Sequence, residues 1–182
     1  MAWLDMSLNP KKSLCMRFGP RHNVNCNNIC TANGDCLSWT DSCRYLGVYL
    51  CSSNHFKSSF SNAKKSFYRS FNSIFGKLGR LASEETILHI VKTKCVPVLL
   101  YGSEACPINK SEKQSLDFVF TRMLMKLFKT SSIYIIDECY EMFNLKRISQ
   151  LIVERKGKFL RNFCKMGMLC VLFLPSLQLR NS

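Results

Sequence analysis

The sequence predicts an α+β fold that is mostly α, with a small antiparallel β-sheet followed by a helical bundle. Residues 1–53 contain short runs of strand-forming residues separated by glycine-containing turns. From residue 54 onward, apolar residues recur at steps of three and four, which is the period of an α-helix. We therefore divide the chain into a β-rich part (1–53), a helical bundle (54–130) and a C-terminal helical extension (131–182).

The β-rich part contains three candidate strands, at residues 14–19, 29–39 and 43–51. The first ends at Gly19-Pro20, and the second brackets Asn33-Gly34. Asparagine followed by glycine is the strongest signal of a two-residue hairpin, because both central positions of a type I′ turn need a positive φ. Three short strands at this spacing predict a small antiparallel sheet.

The longest helical pattern covers residues 55–79, and it has one apolar face and one basic face. Ser52, Ser53 or Asn54 is expected to cap its start, and Gly79 to end it in a left-handed conformation. No aspartate or glutamate lies between His55 and Ser83. The apolar face consists of Phe56, Phe60, Ala63, Phe67, Phe71, Ile74, Phe75 and Leu78, and the basic face of Lys57, Lys64, Lys65, Arg69 and Lys77.

Four further helices are predicted. Ser83 is expected to cap a helix over residues 83–101, which Pro97 should kink or break and Tyr101-Gly102 should end. A capping box beginning at Ser111 predicts a third helix. The third helix, a short fourth one and a final helix with a basic side are expected at 111–129, 137–144 and 148–166.

The composition favours a partner that carries phosphate. The formal net charge is +14 and the isoelectric point about 9.5, a surplus shared by ribosomal, nucleic-acid-processing and membrane-surface proteins. The first residues have neither a basic start nor an apolar run, so we expect no signal peptide, and no apolar run is long enough for a transmembrane helix. The eleven cysteines are therefore expected to be reduced thiols of an intracellular protein, cytoplasmic or nuclear and not secreted.

Catalytic and metal-binding patterns are weak. Cys26, Cys30, Cys36 and Cys43, with His22 nearby, resemble a zinc cluster only loosely, so we interpret these cysteines as small residues that fill strands. His89, in an apolar helix, is expected to be a packed core histidine. No nucleophile–base constellation and no glycine-rich phosphate loop is present, so we predict no metal, cofactor or small-molecule ligand.

Four segments in order resemble the end of the palm and the thumb of a non-LTR (LINE-type) retrotransposon reverse transcriptase. Similarity to that family extends over about residues 3 to 130. The segments are Leu8-Asn9-Pro10-Lys11-Lys12-Ser13, Met16-Arg17-Phe18-Gly19 with the Asn-Gly hairpin after it, Tyr45-Leu46-Gly47-Val48, and Pro97-Val98-Leu99-Leu100-Tyr101-Gly102-Ser103-Glu104.

The resemblance implies roles for particular residues. Lys11 or Lys12 matches the lysine of palm motif D, which is implicated in the departure of pyrophosphate. Tyr45, Leu46 and Gly47 match the primer-grip turn, motif E. Residues 1–53 would then be a remnant of the palm and 54–130 a thumb-like bundle. An RNA–DNA or DNA duplex would contact the basic residues Lys57, Lys64, Lys65, Arg69, Lys77 and Arg80.

The chain departs from this family at the catalytic centre. The family's RNA-directed DNA polymerase site needs a turn with two adjacent aspartates to hold two metal ions, and no adjacent Asp-Asp pair occurs here. We therefore expect a fragment with no polymerase activity of its own, and Mg²⁺ only in an intact relative. Two alternatives stay open: a basic helical module that binds a protein groove or an anionic membrane, and the non-functional product of a decayed element.

Overall fold

The computed structural model describes residues 8–79 and 81–165, and it confirms the α+β, mostly α fold class. Short strands form a β layer at the amino-terminal side, and helices form a bundle after it. The strands are β1 (Leu14–Cys15), β2 (Ser38–Trp39), β3 (Ser42–Tyr45), β4 (Val48–Cys51) and β5 (Lys57–Ser59). β1 and β2 pair in parallel, whereas β3, β4 and β5 form an antiparallel sheet in that order.

The predicted strand over residues 43–51 is wrong, because this segment is a hairpin. β3 and β4 pair through Tyr45 and Val48, which leaves Leu46 and Gly47 as a two-residue loop. Both loop residues have positive φ, 46° at Leu46 and 84° at Gly47, as a type I′ turn requires. A leucine seldom adopts such a φ, so residue preferences alone predicted a continuous strand, although the resemblance to the primer-grip turn indicated a turn at residues 45–47.

Asn33 and Gly34 do lie in a tight turn, but the predicted type I′ geometry is wrong. Gly34 has a φ of 86°, whereas Asn33 is not among the residues with positive φ. The Gly34 N–H donates to the Thr31 carbonyl at 3.0 Å. Next to this turn Cys30 pairs with Cys36 across the hairpin and forms a disulfide with it. The expectation of reduced thiols is therefore wrong for this pair.

The basic helix, α1, runs from Ser61 to Leu78, so its predicted start at residue 55 is wrong. Residues 57–59 pair with β4 instead, and this pairing overrides the helical pattern. The predicted N-cap is also wrong, because the N-cap is Phe60 without a side-chain hydrogen bond. Gly79 ends the helix as predicted, but it is right-handed, with a φ of −64°, and not left-handed. Phe56 lies before the helix and packs against the Phe18 ring.

The second predicted helix is interrupted, as expected from Pro97. Ser83 caps α2 (Glu84–Ile90) by accepting a hydrogen bond from the Thr86 N–H, which confirms that prediction. A π-helical segment (Val91–Cys95) follows, and α3 (Val96–Leu99) ends shortly before Gly102, whose φ is 75°. Two features favour the wider turn: Pro97 has no N–H, and the Thr93 hydroxyl donates to preceding backbone carbonyls.

The last three helices are α4 (Lys110–Leu127), α5 (Ile133–Met142) and α6 (Ile148–Lys165). The capping box of α4 joins Asn109 and Glu112, so the prediction of Ser111 as the cap is wrong. α5 begins four residues before its predicted start at 137. His89 is exposed and is not a core residue, contrary to the prediction. Within the described ranges, no helix combines the length and apolar character needed to cross a membrane.

The hydrophobic core lies within the helical bundle. Among the described residues before Phe60, Ser58 alone is buried. The stripe of phenylalanines on α1 points into the core, and Phe67 and Phe71 are 0% and 1% exposed. The other fully buried large side chains are Ile87, Val91, Cys95, Leu99, Leu116, Met123, Leu124, Ile136, Ile148 and Ile152.

Candidate nucleic-acid interface

A groove of about 740 Å³ lies between the β3–β4 hairpin, the first half of α1 and the end of α3. The hairpin contributes β-strand residues and its type I′ turn, and α1 contributes the residues on one side of its first turns. The lining residues are Arg44, Leu46, Gly47, Val48, Tyr49, Ser59, Phe60, Asn62, Ala63, Lys65, Ser66, Arg69, Pro97, Val98 and Tyr101. Three of these are cations and none is a carboxylate.

The hairpin turn is fixed against the segment that follows α3. The Tyr101 hydroxyl donates to the Leu46 carbonyl at 3.0 Å. A Cβ on Gly47 would lie 3.1 Å from the Tyr101 ring, and a Cβ on Gly102 would lie 2.6 Å from Val48 Cγ2. The backbones therefore approach closely at both glycines. The two sequence segments that carry the resemblance around residues 45–48 and 97–104 thus meet in space.

The cations of the groove are not neutralised within the described part of the chain. Arg44 comes from β3, and Lys65 and Arg69 lie one helical turn apart on α1. None of the three belongs to the ion pairs among the described residues, which are Lys146–Glu154, Arg147–Asp137 and Arg155–Glu104. Residues 42–83 contain no aspartate or glutamate at all. A concave surface of this kind concentrates positive potential.

The structure brings together only some of the residues predicted to bind nucleic acid. Lys65 and Arg69 line the groove, and so do Leu46 and Gly47 of the primer-grip-like turn. Tyr45 is 63% exposed next to that turn and is not part of the lining. The sequence therefore selected both the turn and α1, which line the groove, but it did not show which of their side chains converge there.

The other predicted cations lie elsewhere. Lys64 donates to the Ser115 hydroxyl on α4 at 2.6 Å. Lys57 is exposed on β5, Lys77 is exposed near the end of α1, and neither lines the groove. Lys11 and Lys12 are exposed in a turn that starts at Asn9, also outside the groove. Arg80 lies outside the described residues.

The groove also contains Arg44, Tyr49 and Tyr101, which the sequence patterns did not indicate as binding residues. Arg44 is the nearest cation before the Tyr45-Leu46-Gly47 segment, so its spacing gave one signal. Residues 44 and 49 pair across the hairpin, and recognising this required knowledge that the turn lies at Leu46-Gly47. The role of Tyr101 depends on a contact 55 residues away, which periodicity does not show.

The cysteines do not form a metal centre in the part of the chain that the structure describes. Cys30 and Cys36 bond to each other, whereas the Cys26 sulfur lies 2.7 Å from the Arg17 guanidinium. No group of three or more histidine, cysteine or acidic side chains within 8–79 and 81–165 is arranged to hold a metal ion. Burial raises the pKa of the Cys95 and Cys139 thiols, which disfavours the thiolate form that binds metals.

Comparison of the chain with protein-family models, with curated proteins and with solved structures gave no match. The groove and the sequence motifs that meet there are therefore the features that bear on function.

Proposed function

We propose that this chain is a reverse-transcriptase-like fragment that binds the phosphate backbone of a nucleic-acid duplex in the groove between the β3–β4 hairpin and α1. The observation that carries the proposal is the convergence of Arg44, Lys65 and Arg69 in a concave surface that has no carboxylate. The LINE-type resemblance supports it, because the hairpin turn and the Tyr101-Gly102 segment are in contact.

Groove chemistry suits a sugar–phosphate backbone. Arginine binds a phosphate through two parallel hydrogen bonds, and lysine adds a mobile positive charge. Asn62 and Ser66 add neutral donors on the same side of α1, and Tyr49 and Tyr101 add hydroxyl-bearing aromatic rings. Contacts of these types to phosphates and sugars fix the position of a duplex and carry no direct sequence information. We therefore expect binding with little sequence preference.

The proposal includes no polymerase activity. Two-metal phosphoryl transfer needs clustered carboxylates at the reacting oxygens, and the groove contains none. Asp35 and Asp41 are the described acids of the β-rich part, and neither lines the groove. The groove thus has the charges for binding a phosphate backbone but not the carboxylates for polymerase catalysis.

The apolar side of α1 bears on the alternative of a module that docks on a protein groove or a membrane. Such docking uses an exposed stripe of apolar residues. Phe60, Phe67 and Phe71 are instead 5%, 0% and 1% exposed within the bundle. Docking through this stripe would require α1 to leave its own core, so the buried stripe favours the nucleic-acid proposal.

The proposal is tested by fluorescence anisotropy with a labelled RNA–DNA primer–template over a range of salt concentrations. We expect the logarithm of the association constant to fall as the logarithm of the salt concentration rises, because each neutralised phosphate releases counterions. The variant Arg44→Gln/Lys65→Gln/Arg69→Gln should bind more weakly, with a slope reduced by up to roughly 0.9 for each lost phosphate contact.

A matched control is Lys110→Gln/Lys156→Gln/Lys165→Gln, which removes the same charge at positions on α4 and α6 that do not line the groove. An equal loss of affinity in the control would show that only the net charge of the chain matters. No binding at low salt, or binding insensitive to salt, would contradict the proposal directly.

A further inference from the structure

A second concave site lies on the bundle, between the π-helical segment with α3 on one side and α4 and α6 on the other. Its volume is about 450 Å³, which falls in the range of roughly 300–1,000 Å³ usual for small-molecule sites. The lining residues are Lys92, Val96, Pro97, Leu100, Phe120, Asn144, Leu145, Lys146, Leu151, Glu154, Arg155 and Lys158. We call this site the bundle cleft.

The floor of the bundle cleft is apolar. Leu100, Phe120 and Leu145 belong to the hydrophobic core, and Leu151 packs against that core from α6. These side chains come from four separate parts of the chain, so the cleft exists only in the folded bundle. Val96 and Pro97 extend the apolar wall along α3. An occupant that fits this floor has an apolar body.

The rim of the bundle cleft is basic. It carries the four cations Lys92, Lys146, Arg155 and Lys158 and a single carboxylate, Glu154. Lys146 pairs with Glu154 at 2.6 Å, and Arg155 pairs with Glu104 at 3.7 Å. Lys92 and Lys158 have no carboxylate partner among the described residues. The charge at the rim therefore favours an anionic group.

The backbone around Lys92 is irregular in a way that often accompanies binding sites. Lys92 lies in the π-helical segment Val91–Cys95, where the Val96 N–H donates to the Val91 carbonyl, five residues earlier. A π-turn adds a residue to the helical turn and changes the direction of the side chains next to it. This turn is directly beside the apolar wall at Val96 and Pro97.

We propose that the bundle cleft binds a single-chain anionic amphiphile, such as a fatty acid, with its chain on the apolar floor and its head group at Lys92 and Lys158. This site is distinct from the groove between the hairpin and α1, although Pro97 lines both. It does not depend on the proposed nucleic-acid function.

The ligand series dodecanoate, dodecanol and dodecylamine tests the proposal on the full chain by isothermal titration calorimetry below the micellar range. The three have the same chain and differ in head-group charge. We expect dodecanoate to bind more tightly than dodecanol, and dodecylamine to bind most weakly. Equal affinity of all three, or no saturable binding of dodecanoate, would overturn the proposal.

Two variants locate the binding. Lys92→Gln/Lys158→Gln should lower the affinity for dodecanoate by about 2- to 30-fold, as expected from the loss of two exposed ion pairs. The affinity for dodecanol should stay unchanged. Leu151→Trp should remove binding of both by filling the cleft, with circular dichroism to confirm the fold. Lys110→Gln/Lys165→Gln is the matched control for charge. If the control lowers the affinity for dodecanoate as much as the rim variant does, the head group does not lie at the rim.

Weaker dodecanoate binding in the rim variant with unchanged binding to the primer–template would separate the two sites. The Arg44→Gln/Lys65→Gln/Arg69→Gln variant should show the reverse, with weaker binding to the primer–template and unchanged binding of dodecanoate. Competition of dodecanoate with the primer–template for a single site would contradict the assignment to the bundle cleft.

Discussion

At the scale of single residues, two glycines differ in whether their position tolerates a side chain. Gly102 has a φ of 75°, and a Cβ at this position would lie 2.6 Å from Val48 Cγ2. Gly76 lies inside α1, and a Cβ there would meet no atom within 4 Å. The segment ending at Tyr101-Gly102 was expected from the sequence, but the need for glycine against Val48 depends on a tertiary contact.

We expect Gly102→Ala to lower the free energy of unfolding by about 1–3 kcal/mol, because it combines left-handed strain with a clash against Val48. Gly76→Ala should raise it by about 0.5–1 kcal/mol, since alanine favours the helix and restricts the unfolded chain. Urea denaturation measures both. In a double-mutant cycle, Gly102→Ala should cost less in the Val48→Ala background than in the natural chain, and an equal cost in both backgrounds would show that the clash is not the cause.

At the scale of elements, hydrophobic periodicity located the helices well, and local signals located their ends poorly. The predicted last helix, 148–166, agrees with α6 over Ile148–Lys165, and its final residue lies outside the described range. α1 instead begins at Ser61, because β5 takes residues that continue the helical pattern. The cap of α4 was misplaced because Asn109 and Ser111 are both good N-cap residues, and sequence alone did not choose between them.

The choice of cap gives a direct prediction. The Asn109 side chain accepts from the Glu112 N–H at 2.7 Å, and the Glu112 carboxylate accepts from the Asn109 N–H at 3.2 Å. We expect Asn109→Ala to destabilise the chain by about 1 kcal/mol, and Ser111→Ala to change stability by less than about 0.5 kcal/mol. Thermal denaturation monitored by circular dichroism compares them. The opposite order would restore Ser111 as the start of the helix.

At the scale of the whole molecule, the two parts of the chain have very different cores. The bundle buries a continuous set of apolar side chains from Phe60 to Ile152. The described residues before Phe60 bury only Ser58, and the Cys30–Cys36 disulfide, short strands and turns hold them together. Short runs of strand-forming residues between turn signals predicted the presence of a sheet, but they did not reveal that so short a sheet would lack a buried interior. A sheet buries side chains only when a second layer of secondary structure packs on it, and residue patterns along the strands do not show whether such a layer is present.

We expect this difference to appear in native-state hydrogen exchange. Amides of residues 8–41 should exchange through local opening at low free energy, whereas amides in α1 and α4 should approach the protection of global unfolding. Mass spectrometry of peptic fragments measures both in one sample. Amides in the β3–β4 hairpin should be intermediate, because Tyr101 and Gly102 fix the turn to the bundle. Uniform protection over the whole described chain would contradict this expectation.

The two-faced character of α1 also affects how the chain responds to mutational drift. Phe67 and Phe71 are tied to folding, because the core depends on them, whereas the exposed Lys65 and Arg69 take no part in its packing. Substitutions can therefore accumulate on one side of a single helix and leave the other side intact. A lineage of such chains could lose its positive charge gradually and still produce a folded protein, so folding would outlast binding.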